Sequence, residues 1–151
     1  MKRDPALQPL SRDHHQALFV AQRLRRAEDV ESAAAEFLAF WREHGRRHFQ
    51  VEEEVLFPAW AEREAGYDEE MVVRALADHH GVRLAARRAA AGRATLDELR
   101  ELGARLDAHV RFEEREMFPE IEAALAVDEL GALAEQIERA EAGEPPPGPP
   151  A

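Results

Sequence analysis

Two copies of one short pattern carry the residue types that hold metal ions. His48-Phe49-Gln50-Val51-Glu52-Glu53 leads to Phe57-Pro58, and His109-Val110-Arg111-Phe112-Glu113-Glu114 leads to Phe118-Pro119, sixty-one residues later. In each copy a His and a Glu stand four apart, which stacks them on one face of a helix. Two further runs, Asp13-His14-His15 and Asp78-His79-His80, lie sixty-five residues apart. Imidazole nitrogens and carboxylate oxygens without sulfur suit iron, manganese or zinc. The pattern reads as a metal site inside a helical bundle.

Apolar spacing gives the elements that must position these residues. A first helix is expected over roughly 11–28 with Ser11 as its cap. Its inner face carries Leu7, Leu10, His14, Ala17, Leu18 and Ala21. A second runs from about Glu31 to Phe57, with Phe37, Trp41, His44, His48, Val51, Glu52 and Val55 inward; Pro58 is expected to kink or end it. Glu64 to Tyr67 reads as a loop. Asp68 then caps a third helix over 69–91, with Val72, Ala75, Leu76, His79, Val82 and Ala86 inward and Gly92 as its stop. Thr95-Leu96-Asp97-Glu98 is a capping box that starts a fourth helix, with Leu99, Leu102, Leu106, His109, Phe112, Glu113 and Met117 inward. Pro119 repeats the kink of Pro58. Asp128 caps a short fifth helix to about Ala142.

No segment alternates with period two, so no sheet is expected. The fold class is all-α: an up-down-up-down four-helix bundle with a short C-terminal fifth helix. One domain covers 1–142, and the Pro- and Gly-rich residues 143–151 form a disordered tail. The repeat offsets imply two similar hairpins about an approximate two-fold axis.

Composition narrows the function. A chain of 151 residues supports one core. It has no cysteine, which excludes disulfides, thiolate nucleophiles and cysteine-ligated iron–sulfur or zinc sites. A formal net charge of −11 repels phosphate backbones, so no nucleic acid partner is expected. The Arg clusters (Arg23, Arg25, Arg26; Arg87, Arg88) read as solvated helix faces. No stretch is long enough to span a membrane, and no apolar run follows Met1-Lys2-Arg3. A soluble, cytoplasmic protein is the expectation.

His48, Glu52, His109 and Glu113 occupy helix positions otherwise given to apolar side chains. A buried carboxylate without a partner is costly enough to shift its pKa until it is neutral. Two facing each other also repel. A pair of cations between them reverses both effects.

With these motifs in hand, the chain resembles the hemerythrin-like (HHE cation-binding) domain over roughly residues 7–125. The resemblance implies a non-haem di-iron centre, oxo- or hydroxo-bridged, in a four-helix bundle. It implies that His14 and His48 bind one iron, His79 and His109 the other, and that Glu52 and Glu113 bridge them. Oxygen-carrying members have a further His where this chain has Ala75, and an Asp five residues after the last His, where it has Glu114. The four-His, two-Glu pattern is similar instead to the domains of iron-sensing F-box proteins and of bacterial nitric-oxide or iron-centre repair proteins. The expected ligand is therefore a small diatomic molecule or peroxide, with iron or redox sensing as the role and weak oxygen or peroxide reduction as a conceivable activity. Zinc or manganese remains an alternative to iron. The rival functions are a non-catalytic metal store and a helical partner-binding protein; no protein partner is identified.

His14 and His79 are preferred to His15 and His80 because their helix neighbours are apolar. His15 and His80 face outward or touch the ligands from outside. His44, one turn before His48, stands as an additional ligand, a proton relay or a core-edge histidine. Glu53 and Glu114 either orient the ligand imidazoles or are solvated.

Overall fold

A computed structural model describes residues 2–144 of the chain. Among them every regular element is a helix. Helix α1 is Gln8–Arg25, and α2 spans 30–61. Helix α3 is Glu69–Ala90, α4 spans 96–124, and α5 is Val127–Glu141. Among the described residues no helix is long and apolar enough to cross a membrane.

The helix starts follow local chemistry. Asp29, Asp68 and Thr95 cap α2, α3 and α4, accepting from the backbone N–H groups of Ser32, Met71 and Glu98. Helix α1 departs from expectation. It begins before Ser11, with a proline in its first turn, and the Ser11 hydroxyl donates to Glu114 instead of capping. Helix α5 has the expected length but starts at Val127, with Ala126 rather than Asp128 at its cap position and Asp128 inside the first turn. Gly143 and Glu144 close it with backbone bonds to the carbonyls of Ala140 and Arg139. The expected disorder of the tail concerns residues that, from 145 onward, lie outside those described.

Neither proline ends its helix. Helix α2 passes through Pro58 to Ala61, and α4 through Pro119 to Ala124. Each proline follows a wide π-turn, Glu52–Leu56 or Glu113–Met117, in which Phe57 N–H bonds Glu52 O and Phe118 N–H bonds Glu113 O. The wide turn relieves the clash a proline ring makes with the carbonyl four residues back. A third π-turn, Trp41–Gly45, lies earlier in α2.

Helices α1 and α3 bury matching faces. Leu7, Leu10, His14, Ala17, Ala21 and Leu24 are buried on one; Val72, Ala75, His79, Val82, Ala86 and Ala89 on the other, each sixty-five positions after its counterpart. Spacings of three and four leave Leu76 off this face, and it is 40% exposed rather than inward. Helix α1 packs along much of α4. Gly103 permits that approach: a Cβ there would lie 2.6 Å from Ala21 O.

Two apolar clusters form the core. One gathers Leu10, Val55, Trp60, Phe118 and Ile137, and the other Ala17, Phe37, Phe49, Leu102 and Leu106. Fully burying one such large side chain contributes about 1.5–3 kcal/mol. Along α1 and α3 the switch from one cluster to the other falls at His14 and His79. A polar layer thus divides the core at mid-height.

Candidate metal centre

The buried polar side chains are His14, His48, Glu52, His79, His109 and Glu113, each at most 5% exposed. Helix α1 supplies His14, α2 supplies His48 and Glu52, α3 supplies His79, and α4 supplies His109 and Glu113. Donor atoms of His14, His48, Glu52 and Glu113 lie within 4.8 Å of one another, as do those of Glu52, His79, His109 and Glu113. The two groups share both carboxylates.

Each carboxylate meets one imidazole from each group. Glu52 Oε2 is 3.2 Å from His48 Nε2, and its Oε1 is 3.0 Å from His79 Nε2. Glu113 Oε1 is 2.9 Å from His14 Nε2 and 3.4 Å from His109 Nε2. The Nε2 atoms of His14 and His48 face each other at 3.1 Å. Two nitrogens bound at right angles to one ion, each about 2.1 Å away, would be separated by about 3 Å.

The opposite ring nitrogen of every imidazole meets a carboxylate. His14 Nδ1 donates to Glu114 at 2.6 Å, and His79 Nδ1 to Glu53 at 2.6 Å. His48 Nδ1 donates to Asp13 at 3.0 Å, and His109 Nδ1 to Asp78 at 3.1 Å. An ionised carboxylate only accepts, so Nδ1 carries the hydrogen and the four Nε2 atoms point inward. Outer carboxylates of this kind fix the tautomer and orientation of metal-binding histidines.

Glu53 and Glu114 thus orient imidazoles, one of the two readings left open for them. Asp13 and Asp78 went unassigned from sequence, although each directly precedes a buried His. They bond across to the histidine of the next helix, a contact that helix spacing does not display. Glu141 on α5 was missed too. It lies against Asp13, and with His48 the three come within 4.8 Å. His15 and His80 are exposed and face outward.

His44 is also exposed and stands outside both donor groups. The reason is the π-turn Trp41–Gly45. Its extra residue hands the inward slot to Gly45, which is buried, and turns His44 toward the rim beside Phe40.

Charges inside the layer respond to one another. Burial pushes the His48 imidazole down, but the Glu52 charge and the bond to Asp13 outweigh it and hold it well above the usual value. Burial likewise opposes His109, yet the Glu113 charge and Asp78 push it up to about 10. Burial raises Glu113, and the His109 charge reverses this and holds it well below the ordinary carboxylate range. Without metal, protons on the imidazoles act as the countercharge.

That protonated network leaves gaps. Glu52 Oε1 and Oε2, Glu113 Oε2, His79 Nε2 and His109 Nε2 are buried without an aligned hydrogen bond. Leaving one such atom unsatisfied costs about 1–3 kcal/mol, more if charged. All five belong to the shared inner layer. A cation accepts lone pairs that hydrogens cannot reach there, so the donor set fits metal.

Compared with known protein families, residues 7–121 match the hemerythrin HHE cation-binding domain. The chain belongs to that family. Its members are helical bundles that bind metal cations, in agreement with the buried His and Glu cluster. Comparison with curated proteins gave no match, and neither did comparison with solved structures.

Proposed function

We propose that this HHE domain is a non-haem di-iron protein that binds a small ligand such as oxygen, nitric oxide or peroxide, and so senses oxidant, nitric oxide or iron state. His14 and His48 would hold one iron and His79 and His109 the other, with Glu52 and Glu113 between them. The supporting scaffold is an up-down-up-down four-helix bundle covered on one side by α5. The observation that carries this reading is the convergence of four buried Nε2 atoms on Glu52 and Glu113, with five of these inner atoms left without hydrogen-bond partners.

An iron pair supplies electrons and an exchangeable coordination position. The chain's own residues do the rest. Asp13, Glu53, Asp78 and Glu114 hold the Nδ1 hydrogens, so each imidazole keeps its inner lone pair free. Ala17, Phe40, Phe49, Leu106 and Val110 line a cavity beside His14, His48 and His109, with Asp13 and His44 also at its wall and only apolar atoms exposed to it. It has room for about one water-sized molecule, about 10 Å³. An apolar wall of that size favours a diatomic molecule over a hydrated ion.

Anaerobic loading with Fe(II), then oxidation, tests the reading. The expected result is two irons per chain by metal analysis and a near-ultraviolet charge-transfer absorption that responds to nitric oxide or peroxide. Colourless protein without iron after this treatment sinks the proposal. Stoichiometric zinc in protein purified without added metal replaces it with the metal-store reading.

A further inference from the structure

A groove of about 470 Å³ between α2 and α3 stands apart from the metal layer. Arg42 and Arg46 line it from α2, and His80, Arg83 and Arg87 from α3. Leu38, Trp41 and Leu84 supply its apolar surface. No acidic residue lines it. That is unexpected in a chain with 31 acidic and 20 basic residues.

The arginines here are also unspent. Arg23 pairs with Glu36, Arg88 with Glu98 and Arg111 with Asp107. Arg42, Arg46 and Arg87 make no ion pair among the described residues. Arg83 alone is engaged, holding Glu53 at 2.8 Å. Leu84 is 48% exposed. Trp41 is half-buried, with its ring seated against Phe37 and Phe49.

Guanidinium groups match carboxylates through paired, charge-assisted hydrogen bonds. Trp and Arg together are the residues that anchor protein interfaces. We propose that this groove docks an acidic, amphipathic segment of a partner protein, its carboxylates on Arg42, Arg46 and Arg87 and an apolar side chain on Trp41 and Leu84. Charge complementarity selects the acid. The Leu38, Trp41 and Leu84 surface selects a peptide, with an apolar side chain to bury, over a nucleic acid. The inference stands independently of which metal the core holds.

The test uses the full chain and a synthetic peptide of repeated Glu-Glu-Leu units, followed by tryptophan emission and by anisotropy of the labelled peptide. Trp60 is fully buried elsewhere, so Trp41 reports the groove. The expected result is saturable binding that weakens as salt rises and shifts the emission. Reversing Arg42→Glu and Arg87→Glu together weakens it roughly tenfold or more, because like charges then face one another. Both sites are exposed, and an unchanged melting temperature certifies the fold. No binding, equal binding of a Lys-Lys-Leu peptide, or insensitivity to the double reversal overturns the proposal. Polyphosphate binding as tightly as the peptide overturns the choice of ligand. Self-association in sedimentation that the same reversal abolishes puts a second copy of this chain there instead.

Discussion

The half of the centre built from His14 and His48 differs from the half built from His79 and His109 in what stands behind the imidazoles. The inner atoms repeat: two Nε2 nitrogens and a share in Glu52 and Glu113. The outer carboxylates do not. Glu53 is held by Arg83, Glu114 by Ser11 and Arg3, and Asp78 has Arg105 at 3.8 Å. Asp13 instead faces Glu141, whose carboxyl is pushed up to about 8 by burial, by the bond to Asp13 and by the Asp13 charge. The unrepeated helix α5 therefore makes chemically unequal surroundings for two positions that the repeated helices make alike.

The largest expected effect erases both halves at once. Glu113→Ala removes a carboxylate shared by the two donor groups, so metal analysis should find both ions lost. Breaking one partner out of a buried charge cluster costs about 3–5 kcal/mol, and metal-free protein should lose that much in denaturant unfolding. His79→Ala should lose one ion and keep the other. Loss of both from His79→Ala would show that the halves do not load separately.

The outer carboxylates sharpen the contrast. Asp78→Asn should weaken metal binding by about 10–100-fold in a competition titration with a chelator. Asp13→Asn should cost less, because Glu141 remains beside His48 as a substitute carboxylate. Equal losses would mean that α5 does not matter to the first half.

Acidity separates the inner layer from the α5 contact. The raised His109 value stabilises metal-free protein fully below pH 6.5, its ordinary value, and that contribution is lost as pH rises toward about 10. The lowered Glu113 value contributes fully above 4.5 and is lost as pH falls. The melting temperature without metal should therefore peak between about pH 4.5 and 6.5. Metal affinity should run the other way at the alkaline end, because the ions must displace those protons. The smallest effect belongs to Glu141→Gln. A raised carboxyl loses stability between 4.5 and about 8, so this variant should melt slightly higher than wild type at pH 8 and the same at pH 4.5.

Much of the inner layer was legible in the sequence because it is a property of single helices. His48 with Glu52 and His109 with Glu113 share a face by spacing alone. His14 and His79 are distinguished from His15 and His80 by their apolar neighbours. The outer layer belongs to pairs of helices. Asp13 lies beside His14 in sequence but serves His48, and Asp78 serves His109, which only packing decides. The wide turns before Pro58 and Pro119 escaped because a proline signals a kink or an end as readily as a wide turn, and the turn at 41–45 has no proline to mark it. Their effects were read as a kink or end at Pro58 and an inward His44. Leu76 was drawn inward by its hydrophobicity, whereas the regular spacing of Val72, Ala75, His79 and Val82 excludes it.

Those wide turns have a consequence for what lengths of chain the molecule can accept. An α-helix advances about 100° per residue. Imposing regular pitch on 52–56 without removing a residue would swing everything beyond it around the axis by about that angle, whereas removing one residue there would restore the pitch and keep the face. With the wide turn lost and the residue count unchanged, Trp60 would leave the carbonyl of Gly66, to which its indole N–H donates at 2.9 Å. Regular pitch over an unshortened 113–117 would likewise carry Ile121 away from the interior and bring Glu120 toward it. Each wide turn thus lets its arm carry one residue more than regular pitch allows, and a codon lost there would spare packing that a codon lost elsewhere in the arm would undo.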